Sequence, residues 1–360
     1  MSTKAIELAL RTDVPILLLG EPGIGKTKAV EGIAREQNRP LVTVLASIRE
    51  PSDFSGLPVV TKEGGVKLAA PMWADELGEN GILFLDEMNT APPAVQAALL
   101  RVALDKVVGE KKLSRGVRVV AAINPQEYAA NGFDLAPPLA NRFMHISFQL
   151  KSDEWANNFP EYWGYPPVIS GIDPQVWGEK RGLIAAFIST RPTMLLQFPK
   201  EESRRCGAWA SPRTWDFASR VLAVSSDLDD ILLGFTGTIG EGAAMEFNTW
   251  LRNLDLPNPE DVIKNCKKFE VPKRADKVFA ILSGVISAIK NKPDEARWTA
   301  GWTVIGKVID AGYPDVSAMW ARSLVALNFQ QNEKKYNFEF PDELKKFLPI
   351  FRAAKIRVNG

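Results

Sequence analysis

Residues 20–27 read GEPGIGKT, an unbroken G-x-x-x-x-G-K-[ST], and no other stretch of this chain restricts its fold so severely. An apolar run, PILLL, stands directly before it and a helix-forming stretch, KTKAVEGIAREQ, directly after. Strand, tight loop and helix in that order gather backbone N–H groups around an anion, and the helix N-terminus adds its partial positive charge. Gly20, Gly23 and Gly25 permit the turn, with Glu21, Pro22 and Ile24 between them. On this reading Lys26 reaches the β- and γ-phosphates of a nucleotide, Thr27 offers its hydroxyl to Mg2+, and Lys28 follows at the loop's exit.

Two further strand ends belong with this loop. Residues 81–89, GILFLDEMN, are an apolar strand ending in adjacent carboxylates. A strand tip beside a phosphate loop is where a second acid for the metal has to sit. Asp86 would hold Mg2+ through its waters, and Glu87 would orient and polarise an attacking water. In residues 117–125, VRVVAAINP, Asn124 terminates an apolar run. Its amide suits the γ-phosphate or the lytic water, although asparagine before proline is also an ordinary turn.

Around these motifs the first 150 residues alternate apolar runs with helical stretches, the pattern of a parallel sheet with helices on its faces. Strands are expected at Pro15–Leu19, Leu41–Leu45, Ile82–Leu85, Val117–Ile123 and Met144–Phe148. Helices are expected at Lys26–Glu36 and Ala94–Asp105, with a shorter turn around Tyr128–Gly132. Beyond residue 150 the strand runs stop. Four prolines in 157–175 suggest an extended connector, and helical periodicity then dominates to about residue 355. The expected division is an α/β domain at 1–150, a linker at 151–175, a helical lid at 176–255 and a helical C-terminal extension at 256–360.

The formal net charge of +1 argues against a dedicated nucleic-acid or anionic-membrane binder. Two cysteines, Cys206 and Cys266, make no disulfide framework, and a single histidine, His145, leaves no multi-histidine metal site. The opening MSTKAIELALRTD is charged at short intervals, unlike a secretory leader, and no apolar run approaches a membrane span. A cytoplasmic chain is expected. Nine of the ten tryptophans lie beyond residue 150, where helix packing is the first reading and a partner surface the second.

The order GEPGIGKT, LFLDE, AAINP, then PPLANRF at 137–143 and SPRTW at 211–215 resembles the AAA+ ATPases, and among them the MoxR-like branch. The resemblance covers about residues 1–255. It implies a P-loop NTPase core with a helical lid, in which Lys26 and Thr27 match Walker A, Asp86 and Glu87 match Walker B, and Asn124 matches sensor 1. It further implies that Arg142 is an arginine finger entering a neighbouring subunit's site and Arg213 a sensor 2 residue closing over the γ-phosphate. ATP and Mg2+ are the implied cofactors. A homo-oligomeric ring, most simply a hexamer, is the implied assembly, and the implied partner is a protein client such as one carrying a von Willebrand factor A domain. The hairpin-like PVVTK–EGG–VKL within 53–72 is similar to the pore-directed insert of that branch, and is equally readable as a surface hairpin. A second short hairpin fits 106–116.

Three functions of different class stay open at this level: a motor that remodels proteins, a clamp-loader-like or DNA-associated motor, and a non-hydrolysing ATP-gated scaffold. Two motifs are set aside. NKPD at 291–294 matches a guanine-reading tetrad but has no strand before it. His145 lies in the strand-like MHISF, and a satisfied core histidine is the expectation there.

Overall fold

Val/Ile/Leu runs with no polar face cannot border water on either side, so they pair with one another in the middle of a sheet. The computed structural model describes residues 2–128 and 133–327. It divides into two units, Met1–Gln149 and Leu150–Gly360.

In the first unit the elements are α1 (Ser2–Thr12), β1 (Ile16–Leu19), α2 (Lys26–Glu36), β2 (Leu41–Leu45), α3 (Ser52–Ser55), β3 (Leu57–Val60), β4 (Val66–Ala69), α4 (Trp73–Glu76), β5 (Ile82–Asp86), α5 (Pro93–Asp105), β6 (Val107–Val108), β7 (Lys111–Lys112), β8 (Arg118–Ile123), α6 (Pro137–Ala140) and β9 (Met144–Ser147). Five strands form one sheet in the order β2-β5-β8-β1-β9, and every pairing in it is parallel. Leu17 faces Ala121 across one ladder and His145 across the other. The central strands are the most apolar, Ile82–Leu85 being wholly buried. This is an α/β fold with a parallel five-stranded core. Because its strands run the same way, the segments after Leu19, Asp86 and Ile123 all leave the sheet at the same end, where open α/β sheets place their ligands.

The two inserted ribbons are present as antiparallel hairpins, β3 with β4 and β6 with β7. On the first, Leu57, Val59, Val60 and Val66 are exposed. Helix α1 was not anticipated. Its Ile6, Ala9 and Leu10 recur at helical spacing and are buried, although charges between them make the segment look uniformly polar.

The second unit is helical: α7 (Ser152–Asn158), α8 (Pro174–Thr190), α9 (Pro212–Val224), α10 (Leu228–Ile239), α11 (Glu241–Arg252), α12 (Pro259–Lys264), α13 (Ala275–Asn291), α14 (Glu295–Asp310) and α15 (Pro314–Leu327). Helix starts carry side-chain caps, with Asp173, Ser211, Asp227, Asn258 and Asp294 each accepting from first-turn amides. Asp294 is the last residue of NKPD, so that motif is a helix–helix link.

Where a linker was expected from residue 151, α7 instead buries Trp155, with Phe159 following it. Lid and extension were also read as separate parts, yet a single apolar core runs from Trp155 to Leu324. The side-chain reason is visible at Trp250 of α11, whose indole N–H donates to Asp276 of α13 at 2.7 Å. Trp177, Trp215, Trp302 and Trp320 lie fully inside, while Trp163 is half exposed. No helix among the described residues is long and apolar enough to cross a membrane. The turn expected at 128–132 lies, past Tyr128, outside the described residues, as does the helical stretch expected from 328 to about residue 355.

Candidate active site

Glycines shape the loop between β1 and α2. A Cβ on Gly20 would stand 2.7 Å from both the Ile24 Cδ1 and the Phe148 carbonyl oxygen, so only glycine lets the chain pass. Gly25 takes φ +97, a left-handed conformation that side chains disfavour. It caps α2 without a side chain, and no acidic residue occupies the helix's first turn. The helix start therefore presents amide N–H groups and dipole to an anion without a competing side-chain cap.

Lys26, the first residue of α2, is buried. Its ammonium donates to the Gly20 carbonyl at 2.5 Å, the Glu21 carbonyl at 2.9 Å and Asn124 Oδ1 at 2.7 Å. The next side chain, Thr27, donates its hydroxyl to Asp86 Oδ2 at 2.9 Å. Strand order explains the convergence: β8 lies between β1 and β5, so Asn124 ends beside the loop on one side and Asp86 on the other.

Glu87 leaves the strand through a left-handed turn, φ 53 and ψ 39. For an L-residue that conformation costs about 1–2 kcal/mol. It is held by the Glu87 N–H on Asp86 Oδ1 at 2.9 Å and by the Thr90 hydroxyl on the Glu87 carbonyl at 2.8 Å. Its carboxylate accepts from the Ser47 hydroxyl, just past β2, at 3.2 Å. Strain of this kind, locked by neighbours, is typical of residues that must point one way to act.

Of the other expected residues, Glu21 accepts from the Tyr128 hydroxyl at 3.0 Å, and Lys28 pairs with Glu31 on the exposed face of α2 at 2.6 Å. Arg142 is half-buried after α6, where its guanidinium donates to the Pro138 carbonyl at 2.5 Å. Its Nε is enclosed without a hydrogen-bond partner. Arg213 belongs to the second unit, exposed in the first turn of α9 after a Ser211–Thr214 capping box. His145 is not a core residue. Strand β9 forms the sheet's edge, which leaves His145 exposed with a ring nitrogen 2.9 Å from the Ala140 carbonyl. The structure thus links Lys26, Thr27, Asp86, Glu87 and Asn124 through direct hydrogen bonds or chain adjacency.

Three residues that sequence reasoning passed over join them: Ser47, Asn89 and Tyr128. Each stands a few positions beyond a strand end that was itself recognised, and that proximity is the only signal the chain offers for them.

The residues fit a nucleotide with its dication. A helix start without a side-chain cap and a buried ammonium suit phosphate oxygens. A hydroxyl and a carboxylate in contact are the hard oxygen donors that Mg2+ takes.

Residues 15–143 match the family model of the AAA domain, dynein-related subfamily. Relatives include the sigma54-dependent transcriptional regulator SfnR of Pseudomonas fluorescens, 29% identical over 150 residues, or 39% of this chain and 41% of that protein. The Nif-specific regulatory protein of Rhizobium etli is 33% identical over 132 residues, 34% of this chain and 22% of that protein. The DNA-binding transcriptional regulator NtrC of a Bradyrhizobium is 34% identical over 126 residues, 32% and 26%. The chain spans less than half the length of these curated relatives. A solved structure from Cytophaga hutchinsonii, carrying a provisional ATPase designation, aligns over 96% of this chain and 80% of its own at 15% identity, with a TM-score of 0.32. The first unit is an AAA+ P-loop NTPase domain.

Proposed function

We propose that this chain is a MoxR-like AAA+ ATPase that hydrolyses ATP with Mg2+ in a ring assembly and uses the cycle to remodel or activate a protein partner. The observation that carries the hydrolytic part is the meeting of two further strand ends on the loop after β1: Lys26 on Asn124, and Thr27 on Asp86. Bound Mg2+ would neutralise charge on the β- and γ-phosphates. Around it, Lys26 trades its contacts with loop carbonyls for phosphate oxygens, and the first-turn amides of α2 hold the anion. Thr27 would offer its hydroxyl to the dication, and Asp86 would hold it through its waters. Glu87, aimed by its left-handed turn, accepts a hydrogen bond from the attacking water and so orients and polarises it, and Asn124 fixes that water or the γ-phosphate from the other side.

The MoxR-like reading is supported by the β3–β4 hairpin inserted before β5 and by the helical second unit following the AAA domain. In that reading Arg142 acts on a neighbouring subunit's nucleotide, which makes the ring, a hexamer in its simplest form, the active unit. Arg213 acts as sensor 2, and the client is a protein, for example one with a von Willebrand factor A domain.

A DNA-associated motor, clamp-loader-like in its use of a helical collar, is the second reading. The DNA-binding regulators among the relatives favour it, and the net charge of +1 weighs against it. A pull-down with Glu87→Gln in ATP and Mg2+ separates the two. Co-purification of a protein client supports remodelling, whereas recovery of nucleic acid alone refutes it in favour of the second reading.

A further inference from the structure

Strand β8 loses its ladder before it reaches Asn124. Its last pairing with β5 is Leu85 with Ala121, and its last with β1 is Leu19 with Ile123. Pro125 follows, a residue without an N–H that cannot extend the pairing. On the β5 side the left-handed turn at Glu87 has already carried the chain away. Nothing in the sheet therefore holds the backbone of the residue whose side chain sits on Lys26.

The amide of Asn89 occupies that gap. Its Nδ2 donates to the Asn124 carbonyl at 2.8 Å, and the Asn124 N–H donates to Asn89 Oδ1 at 3.4 Å. One side chain thus satisfies both polar groups of a single residue, as a strand neighbour would. Asn89 is itself buried, in the short turn Met88–Thr90 that follows Asp86 and Glu87. Its own carbonyl accepts from the Phe133 N–H at 2.8 Å. An exposed asparagine doing this would exchange with water; a buried one keeps the geometry.

We propose that Asn89 is a positioning residue for hydrolysis. It locks the Asn124 backbone to the turn that carries Asp86 and Glu87, so that the acid that orients water and the amide that faces the γ-phosphate keep one fixed separation. The inference rests on the ATPase reading above. It explains why a polar residue is buried next to two carboxylates, where an apolar one would pack at less cost.

A double-mutant cycle on the full chain tests it. Asn89→Ala is expected to lower kcat by about tenfold to a hundredfold, the scale of a misplacement near 1 Å. Nucleotide affinity, read with a fluorescent ADP analogue, should stay within about threefold, because the phosphate loop is untouched. Asn124→Ala is expected to lose a similar factor, and the double variant no more than Asn124→Ala alone. Asn89→Asp, equal in volume and retaining the acceptor, should show the same split between kcat and affinity, which guards against a variant that merely fails to fold. Hydrogen exchange supplies a readout independent of turnover: the Asn124 amide should exchange faster in Asn89→Ala. Multiplicative losses in the double variant, affinity falling in step with kcat, or an unchanged Asn124 amide would each overturn the proposal. A wild-type chain without ATPase activity would instead refute the functional reading, leaving the clamp to be judged by the exchange result.

Discussion

Replacing Gly182 by alanine puts a methyl group where α8 and α13 cross. A Cβ there would stand 1.7 Å from Ser283 Oγ and 2.6 Å from Ser283 Cβ. The hydroxyl can rotate away, but the Cβ cannot move without its backbone. Carbon atoms settle at about 3.5 Å or more, so the helices have to part by roughly 1 Å at their closest point. Overpacking of that size costs about 3 kcal/mol, at the upper end of its usual range. Alanine returns about 1 kcal/mol of helix propensity over glycine, leaving a net loss of about 2 kcal/mol. With a urea slope near 2 kcal/mol/M, the midpoint falls by about 1 M. Tryptophan fluorescence is the right probe, since nine of the ten tryptophans lie beyond residue 150. Adding Ser283→Ala should recover little, because the opposing Cβ remains. Adding Ser283→Gly should recover most of it, because the space is restored and the glycine has only changed helices. If Gly182→Ala alone raised the midpoint, propensity would be the only effect present and the close crossing would be refuted.

Two further outcomes follow from single sites. Gly20→Ala drives a methyl to 2.7 Å from the Phe148 carbonyl oxygen and the Ile24 side chain; the loop must shift, and nucleotide affinity by calorimetry should weaken about tenfold or more while the melting profile of the second unit is unchanged. Burial alone would raise the Asp276 carboxyl, but hydrogen bonds from Arg274, Trp250 and the Lys277 N–H outweigh it and hold the group below the usual carboxylate range. A folded-state pKa below the unfolded one gives stability that is present above the unfolded value and lost as pH falls through the folded one. Asp276→Asn should therefore be less stable than wild type near pH 7, with the difference shrinking as the pH falls below the ordinary carboxylate range in urea titrations; a gap that widens in acid would contradict this.

Strand and loop positions near the phosphate loop were legible because each signal is local. The run PILLL, the glycines and the helix after them specify their conformations from adjacent residues, and α2 spans Lys26–Glu36 as expected. The β3–β4 hairpin was readable for the same reason, its EGG turn lying between two short strand-forming runs, PVVTK and VKL. His145 was misread because an apolar-polar alternation looks alike in a central and an edge strand; only the sheet order puts β9 outside. The merging of lid and extension into one core was equally hidden. It depends on α8 meeting α13 across many intervening residues, and helical periodicity marks which face is apolar without saying which helix covers it. Ser47, Asn89 and Tyr128 escaped for a related reason. Their hydrogen bonds cross between strand ends, and strand order is a tertiary property that spacing along the chain does not encode.

In the proposed reaction one site hydrolyses ATP, with Glu87 activating water and Lys26, Thr27, Asp86 and Asn124 holding the nucleotide. Its most direct test is phosphate release by the purified chain with ATP and Mg2+, measured for wild type and Glu87→Gln alongside nucleotide affinity. Wild-type turnover that falls by about 10²–10⁴-fold in Glu87→Gln, with affinity retained, is the expected result. A Glu87→Gln chain that turns over ATP at the wild-type rate would contradict it.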